Sequence, residues 1–132
     1  MPLARSKDME QVNSENAPKA VGPYSQGIKA GNFLFCSGQI GIDPATGELA
    51  NGIHGQTAQA ISNLDSVLKA AGLGLAKVVR TDVFLTDMSH FAEVNEVYAE
   101  KFIYNPKPTR QTVAVRALPK GALVEISAIA KL

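Results

Sequence analysis

The chain has 132 residues, 45% apolar and 19% charged, with 13 Lys and Arg against 12 Asp and Glu. That length fits one domain able to bury a substantial core. A near-neutral balance without a basic block argues against electrostatic nucleic-acid binding, and the lone Cys36 excludes a disulfide framework or all-cysteine metal site within one chain.

Residues 1–15 are polar and aperiodic and read as a flexible arm; residues 16–132 then form a single domain. The start, MPLARSKDMEQ, has no apolar h-region, and no stretch reaches membrane-spanning length, so the cytoplasm is the expected compartment. Pro18, Gly22 and Pro23 make a stiff approach to Tyr24. Gly27 to Ser37 reads as two short strands turning at Gly31-Asn32, and Asp43-Pro44-Ala45-Thr46-Gly47-Glu48 as a turn. From His54 the period changes: Ile53, Thr57, Ala60, Ile61, Leu64, Val67, Leu68 and Ala71 share one helical face, ended by Gly72. Val78 to Leu85 is a strand, and Asp87 or Ser89 caps a second helix carrying Phe91, Val94, Val97, Tyr98 and Phe102. Pro106 and Pro108 end it. Two strands follow, Thr109 to Leu118 and one striped by Val124, Ile126, Ala128 and Ala130, with Leu118-Pro119-Lys120-Gly121 as the turn between them.

The order ββ, α, β, α, ββ predicts an α+β, two-layer sandwich with both helices on one mixed sheet. One helix layer leaves the other sheet face bare. That face, with residues such as Ala114 and Ile129, is apolar enough to expect another subunit over it, in keeping with the low charge content.

Two charged side chains stand out. Arg110 begins the run Arg-Gln-Thr-Val-Ala-Val, and its planar fork of donors matches a carboxylate. Glu125 lies inside Leu-Val-Glu-Ile-Ser, too central for an ordinary solvated acid. Two readings remain open: a structural salt bridge or water-facing edge strand, or a shared site. Simple hairpin pairing around Lys120 would not set the two opposite each other, so a shared site requires other strand neighbours or a cleft between subunits. Tyr24 is either a core-surface aromatic or the lip of a cleft; Ser37-Gly38 offers a hydroxyl and a close backbone approach, or merely a bend. Asn95 reads locally as surface. Cys36 reads as inert, His54 and His90 are too far apart in sequence for a metal pair, and no nucleophile elbow or Walker loop is present.

In combination, Gly22-Pro23-Tyr24-Ser25-Gln26, Ser37-Gly38-Gln39-Ile40, Val94-Asn95-x-x-Tyr98, Arg110, Leu118-Pro119-Lys120-Gly121 and Val124-Glu125-Ile126 resemble the reactive intermediate deaminase family, in its 2-iminobutanoate/2-iminopropanoate deaminase branch. The resemblance runs from about Asn16 to Leu132. It implies a chorismate-mutase-like fold, a homotrimer with clefts between subunits, and cofactor-free, metal-free hydrolysis of enamines and imines such as 2-aminoacrylate to 2-oxo acids and ammonia. Carried over, Arg110 clamps the substrate carboxylate, Glu125 activates water, and Tyr24, Ser37, Gly38 and Asn95 line the cleft. Thr112 falls where many bacterial relatives have cysteine. Rival readings are a regulatory module that binds small carboxylates, an endoribonuclease or translation inhibitor, and a chaperone.

Overall fold

The computed structural model describes residues 3–5 and 7–132. Gly31, at φ 58°, turns strand β2 (Gly27–Ala30) into strand β3 (Phe33–Ile40), a left-handed step that costs glycine no Cβ clash. Ile42 and Leu49 close the next small loop by bridging. Helix α1 (Gly52–Ala70) buries Ile53, Ala60, Ile61, Leu64, Val67 and Leu68 on one stripe, as the 3.6-residue period requires. It ends in a Schellman motif: Leu73 N donates to Leu68 O and Gly72 N to Lys69 O, both at 2.9 Å, with Gly72 at φ 75°.

Strand β4 (Val78–Leu85) comes next, and then a short 3₁₀ turn whose entry is capped by Asp87. The Asp87 carboxylate accepts from Ser89 N at 2.9 Å, and the backbone and hydroxyl bonds from Ser89 hold its pKa below the ordinary value. Helix α2 (Phe91–Lys101) packs beside α1 and buries Val94, Val97 and Tyr98. Strands β5 (Thr109–Ala114) and β6 (Val124–Lys131) complete a six-stranded sheet in the order β1-β2-β3-β6-β4-β5. Among the described strands, only β4 and β5 run parallel. This is the expected two-layer α+β sandwich.

The placement of β6 decides how the polar residues are distributed. It inserts between β3 and β4, so β5 and β6 are consecutive in sequence without being neighbours. Val124, Ile126, Ala128 and Ala130 point into the core beneath the helices, with Leu34, Val83 and Leu85 beside them.

Two expectations need correction. In the arm expected over residues 1–15, positions 1, 2 and 6 lie outside the described residues, but Met9–Val12 are strand β1, antiparallel to β2. Only Val12 of this strand is buried, so backbone hydrogen bonds rather than an apolar stripe carry it, and sequence alternation is too faint to show it. Ala114 does not share the bare face with Ile129. Its register with Leu85 places it on the helix side, and Val113 takes the outward position.

Candidate active site

The chemistry-bearing residues form two groups on opposite faces of the sheet. Residues paired across strands share a face. Arg110 pairs with Thr81, and Thr81 with Ala128, which puts Arg110 on the helix side. Glu125 pairs with Phe84 and Ile40, which puts it on the bare side. The two lie two strand spacings and three residues apart, roughly 14 Å between Cα atoms on standard sheet dimensions. Among the described residues, no ion pair involves either. The structural salt bridge left open by the sequence is therefore absent.

On the helix side, α2 presents Phe91, Asn95 and Tyr98, spaced four and three residues apart and so on one stripe. The Arg110 guanidinium stands over the Tyr98 ring at 4.8 Å and the Phe91 ring at 5.6 Å, and Nη1 donates to Asn95 Oδ1 at 2.8 Å. Cation–π attraction and a single amide bond hold the fork without neutralising it. Tyr98 is anchored in turn by a 2.8 Å hydrogen bond with Thr81, and burial raises its phenol pKa. Thr112 lies two residues beyond Arg110 on the same face, and its Oγ1 is buried without a hydrogen-bond partner. An unsatisfied buried hydroxyl is uncommon and marks a place where a ligand or water can bond.

On the bare side, a pocket of about 250 Å³ is lined by Tyr24, Gly38, Ile40, Pro119, Lys120 and Glu125, among others. Tyr24 is half-exposed at its rim, held by the turn in which Tyr24 N donates to Gly22 O at 2.9 Å. Glu125 is partly buried, and desolvation raises its pKa above the ordinary carboxylate range. Gly38 leaves room for this side chain: a Cβ there would lie 2.9 Å from the Glu125 carboxyl carbon, so a larger residue would displace the carboxyl. Ser37 precedes Gly38 in the chain but lines a separate pocket with Tyr24, Ser25 and Phe35, and its hydroxyl donates to Ser25 O at 2.6 Å.

Of the residues singled out from sequence, Tyr24, Gly38 and Glu125 thus share one pocket, and Ser37 lines a neighbouring one that also includes Tyr24. Arg110, Asn95 and Thr112 form a second cluster elsewhere. No single chain unites them. Lys19 and Lys120 at the pocket and Tyr98 beneath Arg110 were not anticipated as site residues. Tyr98 entered the sequence reading as a core aromatic and as part of the Val94-Asn95-x-x-Tyr98 motif, without a site role. Cys36 is buried, and burial pushes its thiol up to about 12.

The family model described as Endoribonuclease L-PSP matches residues 14–132. A RutC family protein of Pyrococcus horikoshii is 55% identical over 122 residues, 92% of this chain and 96% of that protein. The chloroplastic Reactive Intermediate Deaminase A of Arabidopsis thaliana is 45% identical over 130 residues, 98% of this chain and 69% of that protein. The crystal structure of E. coli TdcF with bound serine matches with a TM-score of 0.89 at 38% identity, over 93% of this chain and 98% of that one. With matches over nearly its whole length in both sequence and fold, the chain belongs to the Endoribonuclease L-PSP family, together with proteins named for RutC and for reactive intermediate deaminase A.

Proposed function

We propose that the protein hydrolyses small reactive 2-imino acids, 2-iminopropanoate (from 2-aminoacrylate) and 2-iminobutanoate, to 2-oxo acids and ammonia, at sites shared between copies of a homotrimer. The carrying observation is the split itself: a guanidinium without a carboxylate partner on one face and a desolvated carboxyl at a pocket on the other. Each is half of a site for an anionic electrophile. Bringing the Arg110 side of one copy against the Glu125 side of the next completes it. The bare sheet face supports assembly, since Phe35 and Val113 on it are each 45% exposed.

The chemistry rests on these groups. Arg110 holds the substrate carboxylate with paired donors, and Thr112 Oγ1 and Asn95 fix its orientation. The adjacent Glu125 carboxylate favours the protonated iminium. As water attacks C2, Glu125 accepts one of its protons and the C=N π electrons pass to nitrogen, giving a carbinolamine. Glu125 then returns the proton to the amine. The C–N bond breaks, ammonia departs, and loss of the hydroxyl proton leaves the 2-oxo acid. No cofactor or metal has a role in this sequence of steps.

Relatives support the reading: one carries the name of a reactive intermediate deaminase, and TdcF was crystallised with serine, a small amino acid bearing the same carboxylate. The family description names an endoribonuclease. Near-neutral charge without a basic cluster argues against that activity here. The test is ammonia or pyruvate release from enzymatically generated 2-aminoacrylate, corrected for spontaneous hydrolysis, for wild type and Arg110→Ala, with gel filtration of both. Acceleration by wild type that vanishes in an assembled Arg110→Ala is expected. A wild type no faster than background would overturn the deaminase reading.

A further inference from the structure

Three buried side-chain amides touch no proposed substrate group, yet each is bonded to the main chain of a different segment of the pocket wall. Gln26, 1% exposed, accepts from Ser14 N at 2.6 Å and donates to Ser14 O at 3.2 Å and Pro18 O at 2.8 Å. Pro18 opens the wall segment that ends at Tyr24. Asn63 of α1, also 1% exposed, donates to Ile40 O at 3.1 Å and Ile42 O at 2.8 Å, bracketing Gly41 where the chain leaves β3. Gln56 of α1 accepts from Leu123 N at 2.9 Å, two residues before Glu125 and two residues after the Pro119–Gly121 turn.

Polar side chains in these places are costly as core. Burying an amide is unfavourable unless it is bonded, and on α1 an apolar side chain would fill the same stripe at no such cost. What the amides supply is direction. Of the groups they hold, Ile40 is the last ladder residue of β3 and the rest are loop main chain, and together they reach all three segments that form the pocket. Gly41 tightens the arrangement: a Cβ there would stand 2.5 Å from Gln56 O, so the end of β3 and α1 meet backbone to backbone. The Pro119–Gly121 turn needs such support, since Lys120 is held at φ 57°, a left-handed conformation that non-glycine residues adopt at a cost.

We propose that Gln26, Gln56 and Asn63 are positioning residues of the pocket, each fixing the main chain of one wall segment and Gln56 setting the approach of Glu125. The kinetic expectation rests on the deaminase reading; the structural one stands apart from it. Gln56→Met keeps length and volume and removes the acceptor for Leu123 N. In the assembled variant, kcat for the imine falls about tenfold or more, while KM stays within about threefold, because Arg110 on the other half-site still holds the carboxylate. In parallel, ¹H–¹⁵N spectra show the amides of Gly38, Lys120 and Glu125 displaced in Gln56→Met and those of Lys19 and Tyr24 displaced in Gln26→Met. Two variants at separate walls keep the test decisive if one fails to fold. Unmoved pocket amides in a folded variant, or an undiminished kcat, overturn the proposal. If wild type proves inactive on imines, the deaminase reading falls and the amide shifts alone still decide this one.

Discussion

Glu125 is the residue whose environment does most to set behaviour. Desolvation raises its pKa, so the folded chain binds this proton more tightly than the unfolded chain does. Its contribution to stability is therefore present below the unfolded pKa and is lost as pH rises through the folded one. On the proposed mechanism activity has the opposite sign, since the carboxylate form accepts the proton of the attacking water. The acid limb of kcat/KM is expected above the ordinary Glu range, and Glu125→Gln should lose the activity itself while melting no lower than wild type at neutral pH. A limb at the ordinary carboxylate value would contradict this. Gly38→Ala separates the same two properties. The added methyl meets the movable end of the Glu125 side chain rather than backbone, so thermal stability should change little while kcat drops. Thr112→Val replaces an unpartnered buried hydroxyl with a methyl. Removing an unsatisfied group gains on the order of 1 kcal/mol, and calorimetry should show stability held or raised while KM increases.

At the level of elements, strong periodicity made both helices and five of the six strands legible. The α1 stripe from Ile53 to Leu68 and the β6 stripe from Val124 to Ala130 are buried as their spacing demands. What escaped was whatever depends on neighbours distant in sequence. Strand β1 has one buried side chain and is held by main-chain bonds to β2, which no alternation reveals. The insertion of β6 between β3 and β4 leaves no mark on either strand's own residues. Gln56 and Asn63 were legible in principle, since both stand at core spacing from Ala60 on α1. A polar residue on an apolar stripe signals a hydrogen-bonding duty there. The meeting of Gly41 with α1 belongs to this scale too: Gly41→Ala drives a Cβ into the Gln56 backbone, and denaturant titration should show a loss of about 2 kcal/mol or more.

For the whole molecule, sequence motifs named the residues of the candidate site but not their distribution. Arg110, Asn95 and Thr112 face one way and Tyr24, Gly38 and Glu125 the other, a consequence of strand register that only the folded sheet displays. The Arg110 cluster has no carboxylate, and the Glu125 pocket, though it has Lys19 and Lys120, has no guanidinium fork. A monomer is therefore predicted to be inactive, and Phe33, Phe35 and Val113, exposed on the bare face, give the chain reason to associate.

The most direct test of the shared site is complementation between two inactive variants. Arg110→Ala and Glu125→Gln are each purified, shown by gel filtration to assemble, unfolded together in equal amounts and refolded, and assayed for ammonia release from 2-aminoacrylate. If each site takes its arginine from one copy and its glutamate from the next, random mixing rebuilds about a quarter of the sites intact. Activity should return to about that fraction of a wild-type sample treated in the same way. Mixed assemblies that stay as inactive as either variant alone, beside a fully active wild type, would contradict a site built between subunits.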